Sequence, residues 1–181
     1  MYGIVNQAIQ GLISENFGKE KWEEVKRVGH VTHDFFLSNE SYDDDITYDL
    51  VGAASEVLKM PASDVLFAFG EYWVLNTGHK KYGDLMKSGG NSFYDFVKNL
   101  PNFHGRIMLI YPKLSPPEFK VEEVSDNELI LHYFSSRQGL TDFVRGLVNG
   151  LGKLFDTQVE ITLTDSSHQE VWHDVFHVKI V

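Results

Sequence analysis

The chain predicts an α+β fold: a helical N-terminal half packed on a small antiparallel sheet that carries one further helix, in the order ββαββ. Three observations lead there. Apolar residues recur at helical spacing as far as about residue 110. The stretch YPKLSPPEF at 111–119 cannot continue a helix, because proline lacks a backbone donor and forces the residue before it into extended backbone. Beyond it come short runs rich in β-branched and aromatic residues, interrupted by one helical interval. Helices followed by strands place the chain among layered α+β folds. The expectation is one domain over 1–181, with a helical part at 1–110 and a sheet-containing part at 111–181.

Taken in order, Ile4, Val5, Ala8, Ile9, Leu12 and Ile13 give a first helix over 3–16, with Asn16 and Gly18 as its stop. A short charged helix follows at 19–29 around Trp22 and Val25, and a third at 45–59 with the Ala53–Ala54 pair on its packing face. Ser63-Asp64 after Pro61 opens an apolar helix from Val65 to Leu75, closed by Asn76 and Gly78. Two short helices are predicted at 79–87 and 91–99. Pro101, well suited to a first helical turn, opens the next at 101–110. Past the linker, strands around Val121–Val124 and Leu129–Phe134 join through Ser125-Asp126-Asn127. A helix over 139–154 has Leu140, Phe143, Val144, Leu147 and Leu151 on one side. Residues 159–163 alternate as a strand, Asp165-Ser166-Ser167 reads as a turn, and a last strand ends in HVKIV.

Composition narrows function. Sixteen basic against twenty-six acidic residues, net charge −10, leave no basic stripe for nucleic acid or an anionic membrane surface. No cysteine is present, so disulfides, thiolate nucleophiles and iron–sulfur ligation are out. The start MYGIVNQAIQGL has no positive n-region, and no apolar run reaches the ~20 residues that span a bilayer; the expectation is a cytoplasmic protein. Neither a glycine-rich phosphate loop nor a GxSxG elbow occurs, and no enzymatic motif is expected.

The histidines and one cluster carry the remaining chemistry. His30, His33 and Asp34 have metal-like spacing, which opens a non-haem metal-dependent hydrolase as one reading; a solvated helix end is the other. His104 sits in LPNFHGRIM, with Leu100 and Met108 four residues to either side. Such an imidazole reads either as a core histidine bonded to a carbonyl or as a ligand with apolar walls around it, as a haem requires. Tyr133, Ser135 and Arg137 alternate, so extended backbone points a phenol, a hydroxyl and a guanidinium the same way. That set suits a pair of carboxylates, although a surface salt bridge for Arg137 and a core place for Tyr133 account for the spacing too.

His104 in its apolar helix, the proline linker and Tyr133-x-Ser135-x-Arg137, in this order over the whole length, resemble the haem-nitric oxide/oxygen-binding (H-NOX) family, which includes the haem domains of soluble guanylate cyclase. MYGIVNQAI resembles the family start, FGEYW at 69–73 the distal helix, LPNFH at 100–104 the proximal helix and YFSSRQGL the propionate-binding segment. The resemblance implies haem b with ferrous iron, His104 as its proximal ligand, and Tyr133, Ser135 and Arg137 on the propionates. It implies that Pro117 presses on the ring, that Leu100 packs on the proximal side, and that Val5, Ile9, Trp73 and Phe143 form the distal wall. Phe143 stands where oxygen-keeping relatives place a tyrosine, which implies a sensor for nitric oxide and carbon monoxide that excludes oxygen. Trp73 departs from that pattern, because its indole N–H is a donor. Gas binding would release His104 and let the helical half shift. The signal would pass to a separate protein, a histidine kinase by family analogy. A haem carrier without signalling is the other alternative.

Overall fold

The computed structural model describes residues 1–111, 115–168 and 171–181. Its helices are α1 (Gly3–Phe17), α2 (Lys19–Val28), α3 (Asp44–Leu58), α4 (Ala62–Tyr72), a π-helical segment (Trp73–Gly78), α5 (His79–Lys87), α6 (Phe93–Lys98) and α7 (Leu100–Ile110). Then follow strands β1 (Glu118–Ser125) and β2 (Glu128–Ser135), helix α8 (Thr141–Leu154), and strands β3 (Val159–His168) and β4 (Trp172–Ile180). The strands form one antiparallel sheet in the order β1-β2-β4-β3. The α+β class and the ββαββ order are those the sequence predicts.

Local chemistry sets several boundaries. The Asp43 side chain caps α3 by accepting from the Asp45 N–H at 3.1 Å. Ser92 does the same for α6, accepting from Asp95 N–H at 3.1 Å. On β2, Leu129, Leu131, Tyr133 and Ser135 are buried and the residues between them are less so, the two-residue period of a sheet covered on one face.

Three expectations are corrected. Asn76 and Gly78 do not stop the fourth helix; the chain widens into a π-helix at Trp73 and runs on into α5. Gly78 permits this because a side chain there would stand 3.1 Å from the Trp73 carbonyl. Asp165-Ser166-Ser167 is not a turn but part of β3, where a bulge between Leu163 and Asp165 absorbs the irregularity and pairing with β4 continues to Trp172. Met108 does not share the buried face of His104: it is exposed, and Ile107 is the buried residue of that turn. Of the linker, Pro112, Lys113 and Leu114 lie outside the described residues.

Two apolar clusters result. One joins α1 to α4 around Ile9, Ile13, Trp22, Val25 and Leu50. The other lies between the sheet, α6 and α8 around Phe93, Phe96, Leu131, Val144 and Phe176. Trp73 packs against both. Helices α4 and α8 meet backbone to backbone: a Cβ on Gly146 would fall 2.0 Å from the Phe67 carbonyl oxygen, and one on Gly70 2.2 Å from that of Phe143. This approach sets α8 over the junction of the clusters.

Candidate functional site

Between the two clusters lies a cavity of about 360 Å³, lined mainly by apolar side chains. Helix α7 brings Leu100, Phe103, His104 and Ile107 to one wall. Ile4 and Val5 of α1, Phe69 of α4, Trp73 of the π-helix, and Phe143, Val144 and Leu147 of α8 supply the facing side. At one end the sheet contributes Tyr133 and Ser135, with Arg137 just beyond β2 and Ser115 and Pro117 before β1.

His104 is the most unusual group in the site. Its Nδ1 is buried with no hydrogen-bond partner among the described residues, and Nε2, which is not buried in this way, is the nitrogen that faces the cavity. The ring packs against Phe119 and Phe103, with centroids 5.3 and 6.1 Å away. Burial lowers its pKa from 6.5 to about 4, so the imidazole is neutral at physiological pH and carries a free lone pair. Among the described residues, it has no carbonyl partner of the kind an ordinary core histidine has.

The opposite end is polar and tied together. Arg137 Nε donates to Asp44 Oδ2 at 2.7 Å, and one terminal guanidinium nitrogen donates to the Ser115 carbonyl at 2.8 Å. Ser135 Oγ accepts from the Arg137 backbone N–H at 2.9 Å. Burial raises the Tyr133 pKa, opposed by a hydrogen bond with Ser135, so the phenol stays protonated and able to donate. Asp44 also receives a hydrogen bond from the Met1 ammonium. Desolvation pushes its carboxyl up, but the bonds from Met1 and Arg137 outweigh that and hold it below 3.8. Arg137 has five donors, and two are engaged, leaving an edge for an anion.

Nine of the ten residues singled out from the sequence line this cavity: His104, Tyr133, Ser135, Arg137, Pro117, Leu100, Val5, Trp73 and Phe143. Ile9 does not. It lies one turn further along α1, fully buried in the helical cluster, and Ile4 takes the place at the wall. Phe143 stacks on Phe69 with ring centroids 4.7 Å apart. His30, His33 and Asp34 form no site: His33 packs on Phe36 and Tyr42, each 5.4 Å away. Among the described residues, no group of three or more histidines and acids is placed to hold a metal ion.

Sequence reasoning missed two features. Asp44 lies in the acidic run 43–45 at the start of α3; its bond to Arg137 spans 93 positions and leaves no local signal. Tyr82 and Tyr111, whose hydroxyls meet at 2.6 Å on the cavity wall, couple α5 to the end of α7.

The profile of the HNOB family, described as Haem-NO-binding, matches residues 2–163. The chain belongs to this family. It is 31% identical over 169 residues to soluble guanylate cyclase gcy-31 of Caenorhabditis elegans, covering 93% of this chain and 24% of that protein. With gcy-33 of the same organism it is 30% identical over 155 residues, covering 86% of this chain and 16% of that protein. The chain thus spans a quarter or less of these relatives. Among solved structures, the H-NOX protein from S. oneidensis in the Fe(II)NO ligation state superposes with a TM-score of 0.89 at 21% identity, covering 100% of this chain and 99% of that one. A mutant H-NOX protein from K. algicida in the unliganded Fe(II) state gives 0.87 at 22% identity, covering 100% and 97%. At such identities these structures establish the shared fold. H-NOX is a haem-binding gas-sensor domain and not a catalytic one.

The residues of this H-NOX chain fit a haem. One buried neutral imidazole opens onto an apolar cavity, and a phenol, a hydroxyl and a partly free guanidinium stand at its end for two carboxylates. Among the described residues, no helix is long and apolar enough to cross a membrane.

Proposed function

We propose that this H-NOX chain is a sensor of nitric oxide, also able to take carbon monoxide, that excludes oxygen and signals to a separate protein in the cytoplasm. The observation that carries the reading is the unpartnered His104 imidazole opening onto the cavity. When bound, haem b supplies a ferrous iron that accepts a diatomic gas. His104 would hold that iron through Nε2, and Tyr133, Ser135 and Arg137 would hold the two propionates. Leu100 would pack on the His104 side, and Pro117 would press on the ring edge. Val5, Trp73 and Phe143 would wall the gas side and keep water out.

The preference for nitric oxide rests on the first turn of α8. Phe143 offers no hydroxyl there to stabilise bound oxygen. The Tyr82 and Tyr111 hydroxyls bond each other, and the Tyr48 hydroxyl donates to the Gln138 carbonyl at 2.9 Å. Trp73 is the donor that could upset this preference.

Signalling requires His104 to be movable. Helix α7 carries it and ends at Tyr111, which bonds Tyr82 of α5 and packs edge-on against Tyr2, 5.1 Å away. Loss of the hold at His104 would free α7 to shift against α5 and the chain start. Driving a two-state switch from 1:99 to 99:1 takes about 5.5 kcal/mol of differential binding, within reach of one strong ligand bond.

The test has two parts. Reduced haem-loaded protein should shift its Soret band with nitric oxide, lose the iron–imidazole vibration, and form no stable oxygen complex in air. Autophosphorylation of a histidine kinase from the same organism should then change with the nitric oxide state. A stable oxygen complex would overturn the gas preference. Kinase activity indifferent to the gas would favour a carrier that does not signal.

A further inference from the structure

Away from the cavity, the outer face of the sheet carries a pair of imidazoles. Alternation turns His132 of β2 to the side opposite Tyr133, and Phe134 pairs directly with His173 of β4. The two histidines are therefore diagonal neighbours. Nδ1 of His132 and Nε2 of His173 stand 3.0 Å apart, and the rings stack with centroids 5.3 Å apart and planes at 21°. Phe134 lies nearly flat on His173 at 4.1 Å. Two paired strands and this aromatic stack hold both rings in place.

The other nitrogen of His132 matters as much. Nε2 is buried with no hydrogen bond of good alignment among the described residues, and Glu122 Oε1 of β1 lies 3.3 Å from it. A carboxylate there favours the proton on Nε2, which leaves the lone pair on Nδ1. His173 then donates the bond between the rings. Moving the His173 proton to Nδ1 leaves a lone pair on each of the two facing nitrogens, and a turn of the rings aims both at one ion. Two nitrogens each ~2.0–2.1 Å from one ion stand about 2.9 Å apart at a right angle and about 3.3 Å apart at the tetrahedral angle. The observed 3.0 Å lies between these values.

We propose that His132 and His173 bind a divalent transition-metal ion of the imidazole-preferring group, zinc, copper or nickel. Glu122 orients His132, in the way that carboxylates support ligating histidines. Water completes the shell, because the protein supplies two ligands. The neighbouring cation does not block the site: Lys120 pairs with Glu118 at 3.4 Å and lies over the Phe134 ring. His177, further along β4, faces Glu128 at 3.5 Å and is no ligand.

Zinc chloride titrated into the full haem-loaded chain, followed by calorimetry and by NMR of the ring nitrogens, tests this. One equivalent should bind, moving His132 Nδ1 and His173 Nε2. His173→Gln or His132→Gln should abolish that event, and Glu122→Gln should weaken it by about 10–100-fold. His177→Gln should leave it unchanged. Dispersed amide spectra of the variants distinguish loss of a ligand from loss of fold. The proposal fails if zinc shows no saturable uptake, or if uptake survives His173→Gln.

Discussion

The two ends of the cavity solve opposite problems. At the α7 end, His104 sits among apolar and aromatic side chains: Nδ1 has no partner among the described residues, and burial has made the ring neutral. At the sheet end, Arg137 is already bonded to Asp44 and to the Ser115 carbonyl, and Asp44 holds the chain's own amino group. The first end offers a neutral imidazole with no protein partner among the described residues, whereas the second is self-supporting and offers only its unused donors. A buried polar atom left unsatisfied costs about 1–3 kcal/mol. Nδ1 carries that cost whether or not a ligand takes Nε2; the neutral ring on the apolar wall is where a ligand would be held, and the prebuilt network at Arg137 is where it would be oriented.

That contrast can be broken in order of size. His104→Gly should remove the stronger hold entirely: the variant should lose haem on desalting and regain its Soret band when free imidazole is supplied. Retention of haem at the level of the unmodified chain would show that the sheet end does the holding.

Acid separates the two ends in the haem-free protein. The folded state keeps His104 unprotonated down to about 4, while the unfolded chain protonates it at 6.5. Within that window the unfolded state binds more protons, so stability should fall by about 1.4 kcal/mol for each unit of pH lowered. His104→Leu should flatten this slope in urea melts. Asp44 acts in the same direction but in a lower window: its stabilisation is present above 3.8 and is lost as pH falls through its lowered folded value.

Arg137→Gln should weaken haem retention by about 1.5–3 kcal/mol, the range for a hydrogen bond to a charged group, while the iron–imidazole vibration stays. Haem dissociation rates measured against an apoprotein acceptor would report it. Ser135→Ala should cost about 1 kcal/mol in the same assay. A larger effect for Ser135 than for Arg137 would invert the account of the sheet end.

How much of this was legible beforehand differs between the same two ends. Tyr133, Ser135 and Arg137 declare a common direction through alternation alone, and His104 stands out because its helix is otherwise apolar. The α+β order followed from the proline linker and the change of period. What stayed hidden depends on distant contacts. Asp44 reaches Arg137 from another element, and Ile9 left the cavity wall because the setting of α1 against its neighbours decides which turn faces inward. The π-helix at Trp73 hid behind an ordinary stop at Gly78. Nor did Gly70 and Gly146 show, alone, that two backbones meet there.

The most direct test of the central claim, that His104 ligates a haem in this cavity, is the absorption spectrum of the purified reduced chain with hemin supplied, compared with His104→Gly. The account predicts a Soret band in the first, its loss in the second and its return with imidazole. A chain that remains colourless with hemin, or a band indifferent to His104→Gly, would contradict it.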